Sequence, residues 1–171
     1  AVIYGERRYT WAESYARMRR LASALTGAGL GIGDTVSVIA ANTPEMFEAH
    51  FGVPMAGCVL NTINTRLEAE TISYILENSD CRVLIVDTAF APAVVPALES
   101  LPADVRKNIR VVDIRDAAMG DLAPVGDEDY ESFIGAGDPD YDWQMPADEW
   151  QALALGYTSG TSGRPKGVVY H

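Results

Sequence analysis

Positive charge is scarce in this chain of 171 residues, which has 13 lysine and arginine residues against 24 aspartate and glutamate residues. The formal net charge of −11 argues against a nucleic-acid-binding protein, because such proteins need a basic surface to neutralise phosphates. The same charge opposes the binding of any polyanion. A phosphate site in this chain would therefore need local positive potential.

Cysteine and long apolar runs are also scarce. The two cysteines, Cys58 and Cys81, lie in apolar stretches, which predicts buried free thiols in a reducing compartment, with a disulfide as the alternative. Their spacing fits no metal site. No run of 18 apolar residues occurs and the opening residues do not resemble a signal peptide, so we expect a cytoplasmic protein without a transmembrane segment. The chain opens without methionine, which leads us to expect missing residues upstream.

Apolar residues recur along the chain with alternating strand-like and helix-like periods. The contents of hydrophobic residues (48%) and charged residues (22%) are ordinary for a globular domain. Strands rich in β-branched residues are predicted at 35–40, 58–61, 82–86 and 108–114, after a short hairpin over residues 2–9. Helices are predicted at 10–28, 43–56, 65–78 and 89–101. This alternation predicts an α/β fold with a largely parallel sheet covered by helices.

Local signals predict where these helices begin and where they bend. Capping boxes are present at residues 10–13 and 65–68, and Thr43 has the position of an N-cap. Pro54 is expected to kink or shorten the second helix. Two prolines are expected to interrupt the helix at 89–101.

The arginines of the first helix and the histidine of the second do not indicate a ligand-binding or catalytic site. The buried stripe of the first helix is predicted to consist of Trp11, Tyr15, Met18, Leu21, Ala22 and Leu25. Arg17, Arg19 and Arg20 lie off that stripe, and we expect a solvated face rather than a ligand site. His50 has no second candidate ligand nearby, which favours a packed or surface histidine.

An acidic segment separates the βα alternation from the end of the chain. Twelve of the 24 acidic residues fall between positions 113 and 149, against one basic residue, Arg115. No calcium-loop spacing is present. A solvated, irregular connection is predicted here, with a short helix at 130–135.

The most informative stretch runs from Thr158 to Gly167 and reads TSGTSGRPKG. Its three glycines allow a ligand to approach the backbone closely, and successive N–H groups in such turns form a concave anion site. Four hydroxyl side chains add donors that can also face a metal ion, and Lys166 adds a positive charge. The stretch predicts a polyphosphate-binding loop, with a turn that binds no ligand as the alternative.

Strand-like residues flank this loop on both sides, at 152–157 and 167–170. A P-loop NTPase joins a strand to a helix instead, and its spacing G-x-x-x-x-G-K-[ST] is absent. Pro165 keeps Arg164 away from helical geometry. We therefore predict a strand–loop–strand hairpin that forms a flexible flap over phosphates.

The stretch TSGTSGRPKG resembles the phosphate-binding signature of adenylate-forming enzymes, a superfamily that includes acyl-CoA synthetases, luciferases and peptide-synthetase adenylation domains. Ser162 stands where these enzymes usually carry threonine, so the hydroxyl is kept. The continuation at 168–171 is most similar to the acyl-CoA synthetase branch. Further similar segments occur in the family's order at 8–13, 33–45 and 56–67, so the resemblance covers essentially the whole chain.

The resemblance implies a role for each matched loop residue. Thr158 matches the hydroxyl that approaches magnesium, and Lys166 matches the lysine that contacts the leaving pyrophosphate and is the catalytic candidate. The positions that wrap the phosphates are matched by Ser159, Gly160, Thr161, Ser162 and Gly163. The implied cofactors and co-substrates are ATP, Mg²⁺ and CoA.

The resemblance also implies an ATP-dependent carboxylic acid–CoA ligase that works through an acyl-adenylate. Family members continue well past this loop, so residues 1–171 are expected to be the N-terminal portion of the large ATP-binding domain and to be inactive alone. The acyl, adenine and CoA pockets would lie in the remainder of the chain, and the sequence does not identify the acid.

Three alternatives stay open at this point. The acceptor could be a carrier-protein thiol instead of CoA. A flavodoxin-like or receiver-type domain would show the same βαβ alternation without needing the loop. The chain could also be a noncatalytic nucleotide-binding or interaction module. A homodimer is one option for the oligomeric state.

Overall fold

The structure is a computed structural model that describes residues 1–158 and 163–171. A short antiparallel hairpin of β1 (Val2–Tyr4) and β2 (Arg7–Tyr9) precedes a larger sheet. In chain order, the strands of that sheet are β3 (Thr35–Ile39), β4 (Val59–Thr62), β5 (Cys81–Asp87), β6 (Arg110–Ile114), β7 (Glu128–Asp129), β8 (Ala154–Tyr157) and β9 (Gly167–Tyr170).

The seven strands lie in the spatial order β7-β6-β5-β3-β4-β8-β9. All neighbours run parallel except β8 and β9, which pair antiparallel. The predicted α/β fold with a largely parallel sheet is therefore confirmed. β7 was not predicted, because two acidic residues give no apolar period.

Helices cover both faces of the sheet. In chain order they are α1 (Trp11–Gly27), α2 (Pro44–Met55), α3 (Ala69–Asn78), α4 (Ala91–Glu99), α5 (Ala103–Arg106) and α6 (Tyr130–Gly135). Buried residues of α1, α2 and α6 form a first core cluster with one face of the sheet, which includes Val38 and Ile85. Buried residues of α3 and α4 form a second cluster with the opposite face, which includes Leu84 and Val86.

Of the three predicted N-terminal helix caps, two form and one does not. The capping box of α1 forms as predicted: Thr10 Oγ1 accepts from the Glu13 N–H, and the Glu13 carboxylate accepts from the Thr10 N–H. Thr43 likewise accepts from the N–H of Met46 at the start of α2. The box predicted at 65–68 does not form, because the Asn64 side chain accepts from the Arg66 N–H and holds a turn there. Consequently α3 begins only at Ala69.

The prolines act as predicted in α2 and only in part in α4. Pro54 lies in the last turn of α2, which ends one residue later. Instead of one helix over 89–101, the chain forms a 3₁₀ turn at Thr88–Phe90 and then α4. Pro92 lies in the first turn of α4, but Pro96 lies inside α4 without ending it, so the predicted interruption at Pro96 is wrong.

The predicted burial of α1 residues is wrong for two aromatic side chains and for one arginine. Met18 and Leu21 are buried, but Trp11 is 65% exposed and Tyr15 is 41% exposed. Arg17 is not solvated: its guanidinium donates to the buried Glu48 carboxylate at 2.5 Å and to Glu131 at 2.6 Å.

The other two arginines of α1 also bind the acidic segment. Arg19 pairs with Asp140 at 2.8 Å, and Arg20 donates to the Gly137 carbonyl at 2.9 Å. These partners lie more than a hundred residues away in the sequence, so helix periodicity gave no sign of them.

The acidic segment is more ordered than predicted. The helix predicted at 130–135 is present as α6, and its Tyr130, Phe133 and Ile134 are buried in the first core cluster. Asp113 is fully buried and accepts from the N–H groups of Val125 and Gly126 at 3.1 Å each. Such hydrogen bonds stabilise its charged form, while burial raises the pKa of this carboxyl. The prediction of a solvated connection is wrong for these parts of the segment.

Predictions about single side chains elsewhere are confirmed. Cys58 and Cys81 are buried and free. His50 is exposed and its Nδ1 lies 2.8 Å from the carbonyl oxygen of Met46, which fits a surface histidine. Among the helices that the structure describes, none is long and apolar enough to cross a membrane.

Candidate functional site

The predicted phosphate loop connects the two antiparallel strands at one end of the sheet. β8 is parallel to β4, and β9 returns beside β8 with Tyr157 opposite Gly167. The Thr158 N–H donates to the Lys166 carbonyl at 3.1 Å and closes the base of the loop. The predicted strand–loop–strand arrangement is thus confirmed. A loop after the carboxyl end of a parallel strand has the usual position of ligand-binding loops in α/β sheets.

The described part of the loop exposes its polar groups. Ser159, Gly160, Thr161 and Ser162 were predicted to wrap the phosphates, and these four lie outside the described residues. Thr158, Gly163 and Lys166 are exposed. Gly163 has a φ of 146°, a conformation that glycine adopts far more readily than other residues.

Two cations follow the glycines with different surroundings. The Arg164 guanidinium lies over the Tyr74 ring, 5.2 Å from its centroid. Lys166 forms no ion pair among residues 1–158 and 163–171. Lys166 therefore has no carboxylate partner in the described residues that would compete with an anionic ligand.

Helix α3 supports the loop on both sides, which the sequence did not predict. Just before the loop, the Tyr157 hydroxyl donates to Asn78 Oδ1 at 2.8 Å. In the second half of the loop, the Arg164 guanidinium lies over the Tyr74 ring. Burial is the main cause that raises the pKa of Tyr157, with further contributions from Tyr74 and Asp80. Tyr157 thus remains a neutral hydrogen-bond donor at physiological pH.

A cleft of about 680 Å³ lies between α3 and the second half of the loop. Glu70 and Glu77 line it on the helix side, and Gly163, Arg164 and Pro165 line it on the loop side. Two carboxylates disfavour a phosphate in this cleft and favour the Arg164 guanidinium there.

A magnesium ion finds little protein coordination in the described residues. Residues 1–158 and 163–171 contain no group of three histidine, cysteine, aspartate or glutamate side chains that could hold a metal ion. Magnesium is often bound by only one or two protein groups together with phosphate oxygens and water. The exposed Thr158 hydroxyl fits one such position.

A cavity lined largely by apolar residues lies elsewhere. It has a volume of about 610 Å³ and lies between α2 and the segment before β8, with Phe51, Met55, Trp143 and Leu153 among its lining residues. It includes none of the residues predicted for the phosphate loop. Its position alone gives it no chemical role.

Known proteins are similar to this chain over its full length. Residues 1–171 match the AMP-binding enzyme family. An acetate/butyrate–CoA ligase of Arabidopsis thaliana, described as peroxisomal, is 45% identical, with 100% of this chain and 32% of the relative covered. An acetate–CoA ligase of Humulus lupulus is 44% identical, with 99% and 31% covered. The chain thus spans about a third of the length of these relatives.

Solved structures agree with this assignment. An anthranilate–CoA ligase in complex with anthranoyl-AMP superposes with a TM-score of 0.82 at 25% identity, covering 99% of this chain and 31% of that protein. The N-terminal domain of a Mycobacterium tuberculosis protein named FACL13 superposes with a TM-score of 0.75 at 28% identity, covering 96% and 38%. The family model matches all of residues 1–171, and the parallel sheet and glycine-rich hairpin agree with that match. This chain therefore belongs to the AMP-binding enzyme family.

Proposed function

We propose that the full-length protein is an ATP-dependent carboxylic acid–CoA ligase, and that residues 1–171 form the N-terminal part of its large ATP-binding domain. In the first step the carboxylate attacks the α-phosphorus of ATP, giving an acyl-adenylate and releasing pyrophosphate. In the second step the CoA thiolate attacks the acyl carbon, forming the thioester and releasing AMP. The observation that carries this proposal is the TSGTSGRPKG loop on the β8–β9 hairpin.

The loop's task in this reaction is to hold the leaving pyrophosphate. Lys166 is exposed and, in the described residues, unpaired, so its ammonium group can approach the β- and γ-phosphates. The hydroxyls and N–H groups of residues 158–163 would donate to the same oxygens. A magnesium ion would neutralise phosphate charge, with Thr158 as one protein ligand. Positioning and charge neutralisation provide most of the catalysis in reactions at phosphorus.

The relatives indicate which acids to test first. Their names include acetate, butyrate and 2-methylpropanoate as substrates of CoA ligases. We propose a short aliphatic acid as the substrate class of this protein. For the acceptor we propose CoA, with a carrier-protein thiol as the alternative that direct measurement would distinguish.

ATP–pyrophosphate exchange on the full-length protein tests the proposal. The panel would contain acetate, butyrate, 2-methylpropanoate, a long-chain fatty acid and benzoate, with and without CoA. Exchange that depends on a short acid, followed by thioester formation on adding CoA, is the expected result. A folded protein that binds ATP but exchanges pyrophosphate with no acid would contradict the ligase function.

The role of Lys166 gives a sharper prediction. Lys166→Ala is expected to slow adenylation about 10²–10³-fold, the usual effect of losing one aimed donor or charge, equivalent to ~2.7–4 kcal/mol. Thioester formation from preformed acyl-adenylate should change far less, because pyrophosphate has then already left. The two half-reactions are measured separately by exchange and by single-turnover thioester formation.

The other lysine of the chain provides the matched control. Lys107 is exposed and lies just after α5, so Lys107→Ala should leave both half-reactions unchanged. Equal losses in adenylation and thioester formation for Lys166→Ala would refute the assigned role.

Location and assembly remain proposals of the same kind. We propose a cytoplasmic enzyme on the basis of its two free buried cysteines, and a tagged full-length protein imaged in cells would test this. If the tagged protein is found in peroxisomes, its location would instead match that of the Arabidopsis thaliana relative described as peroxisomal. A homodimer is testable by light scattering on the full-length protein.

A further inference from the structure

Helix α3 presents one polar stripe to the phosphate hairpin. Glu70, Tyr74 and Asn78 are spaced four residues apart and so lie on the same face of the helix. The cleft beside this face is bounded on the other side by Gly163, Arg164 and Pro165. The stripe therefore lies against the part of the hairpin that follows the glycine-rich residues.

Two residues of the stripe contact the hairpin, one at the residue before the loop and one inside the loop. Asn78 accepts a hydrogen bond of 2.8 Å from the hydroxyl of Tyr157, the residue before Thr158. The ring of Tyr74 lies under the Arg164 guanidinium at 5.2 Å. Neighbouring turns of one helix thus hold the hairpin at the residue before the loop and at Arg164 within its second half.

This helix face is itself firmly held. Ile72, Ile75 and Leu76 of α3 are buried in the second core cluster. Tyr74 and Tyr157 both pack against that cluster. The contacts therefore link the loop to the core of the domain and not to a mobile part of the surface.

Building on the proposed ligase function, we propose that Tyr74 and Asn78 are positioning residues for ATP. They act through the hairpin: by holding Tyr157 and Arg164 in place, they reduce the conformational entropy that the nearby Thr158 and Lys166 lose when phosphates bind. The arrangement also gives the two cations of the loop different roles. Arg164 anchors the loop on Tyr74, while Lys166 remains available to the pyrophosphate group.

This role differs from catalysis in its expected kinetic effect. A cation–π pair at an exposed site contributes enough for about a two- to fivefold change in an equilibrium. Tyr74→Leu should therefore raise the KM for ATP about two- to fivefold and leave kcat within about twofold. Tyr74→Phe keeps the ring face and should behave as the wild type. Asn78→Ala should resemble Tyr74→Leu, whereas Asn78→Asp keeps an acceptor for Tyr157.

Trypsin provides a readout that does not depend on activity. The Lys166–Gly167 bond lies at the start of β9, whereas the Arg164–Pro165 bond resists trypsin because proline follows the arginine. Cleavage of a native protein tracks the population of its locally open form. Tyr74→Leu in the full-length protein should speed cleavage after Lys166 about two- to fivefold, and Tyr74→Phe should not. Cleavage after Lys107 provides the internal control, since it lies outside the hairpin.

Arg164 provides a second variant that leaves α3 untouched. Arg164→Gln should reproduce the effects of Tyr74→Leu on cleavage and on the KM for ATP, and the double variant should add little further. Arg164→Lys keeps a cation and should preserve most of the anchoring. Because Arg164 is exposed, these variants should fold normally even if a change at Tyr74 disturbs the core.

The results separate this inference from the proposed function. If Tyr74→Leu, Asn78→Ala and Arg164→Gln all leave cleavage after Lys166 and the KM for ATP unchanged in an enzyme that performs exchange, the positioning role is refuted and the ligase function stands. Faster cleavage together with a lower KM for ATP would also refute it. If cleavage responds as expected but the wild type shows no exchange with any acid, the anchoring stands and the ligase function falls.

Discussion

Glu48 is the clearest case in which single side chains hold elements together. Its carboxylate is 1% exposed and accepts from Arg17 of α1 at 2.5 Å and from the Tyr130 hydroxyl of α6 at 2.9 Å. Burial raises the pKa of Glu48, and both partners oppose that rise because they hydrogen-bond to the charged form. One carboxylate on α2 thus joins three helices that cover the same face of the sheet.

Removing this carboxylate should be strongly destabilising. We expect Glu48→Ala to lower the free energy of unfolding by about 3–5 kcal/mol, because the largely buried Arg17 guanidinium keeps only the exposed Glu131 as a partner and the buried Tyr130 hydroxyl loses its acceptor. Denaturant unfolding of the full-length protein measures this. Asp140→Asn is the matched control: it removes the Arg19 pair, but Asp140 is 84% exposed, so the change should stay within about 1 kcal/mol. Similar decreases in the free energy of unfolding for the two variants would show that the buried network contributes no more to stability than the exposed pair.

At the scale of elements, the contact between α1 and α2 depends on one glycine. A Cβ atom on Gly52 would lie 2.8 Å from the Met18 carbonyl oxygen and 2.8 Å from Leu21 Cδ2. The carbonyl belongs to the backbone of α1 and cannot move aside by changing a rotamer. The close approach of the two helices therefore requires a residue without a side chain.

Gly52→Ala should consequently destabilise the fold, against the helix propensity of alanine. Propensity alone favours alanine by roughly 1 kcal/mol inside a helix, while overpacking typically costs about 1–3 kcal/mol. A lower midpoint of denaturant unfolding is the expected result. Gly27→Ala at the end of α1 is the control, because nothing lies within 4 Å of its Cβ position, and it should be neutral or stabilising. A stabilising Gly52→Ala would mean that the helices separate at little cost.

The elements also show why sequence reasoning succeeded in some places and failed in others. Strand β5 and the N-caps Thr10 and Thr43 were predictable, because their signals lie within a few residues of one another. The box at 65–68 failed because Asn64 offers the backbone a competing local hydrogen bond. The salt bridge from Arg17 to Glu131 spans 114 residues, and local periodicity carries no information on such a pair.

The same limit applies to the candidate site. The loop itself was predictable, since its glycines, hydroxyls and Lys166 are contiguous in sequence. Its supports were not, because Asn78 lies 79 residues before Tyr157 and reaches it only through the fold. Neither Tyr74 nor Asn78 has a sequence signal that distinguishes it from other residues on a polar helix face.

On the scale of the whole molecule, the two cysteines report on opposite faces of the sheet. Cys58 belongs to the first core cluster, beneath α1 and α2, and Cys81 belongs to the second, beneath α3 and α4. Burial raises the pKa of Cys58 to about 12, with a further contribution from Asp34, and burial raises the pKa of Cys81 to about 11. Both thiols are therefore neutral and inaccessible in the native state.

This placement gives a prediction about pH and about cooperativity. Because both pKa values are raised by folding, the stabilisation from the neutral thiols is complete below the unfolded value of about 8.5 and is lost as the pH rises toward 11–12.

At pH 8 the native full-length protein should resist iodoacetamide at both cysteines. In rising denaturant the two should become labelled together if the sheet opens as one unit. Peptide mapping by mass spectrometry distinguishes the two sites, and labelling of Cys81 well before Cys58 would instead show that the α3–α4 face, which carries the supports of the phosphate loop, opens independently.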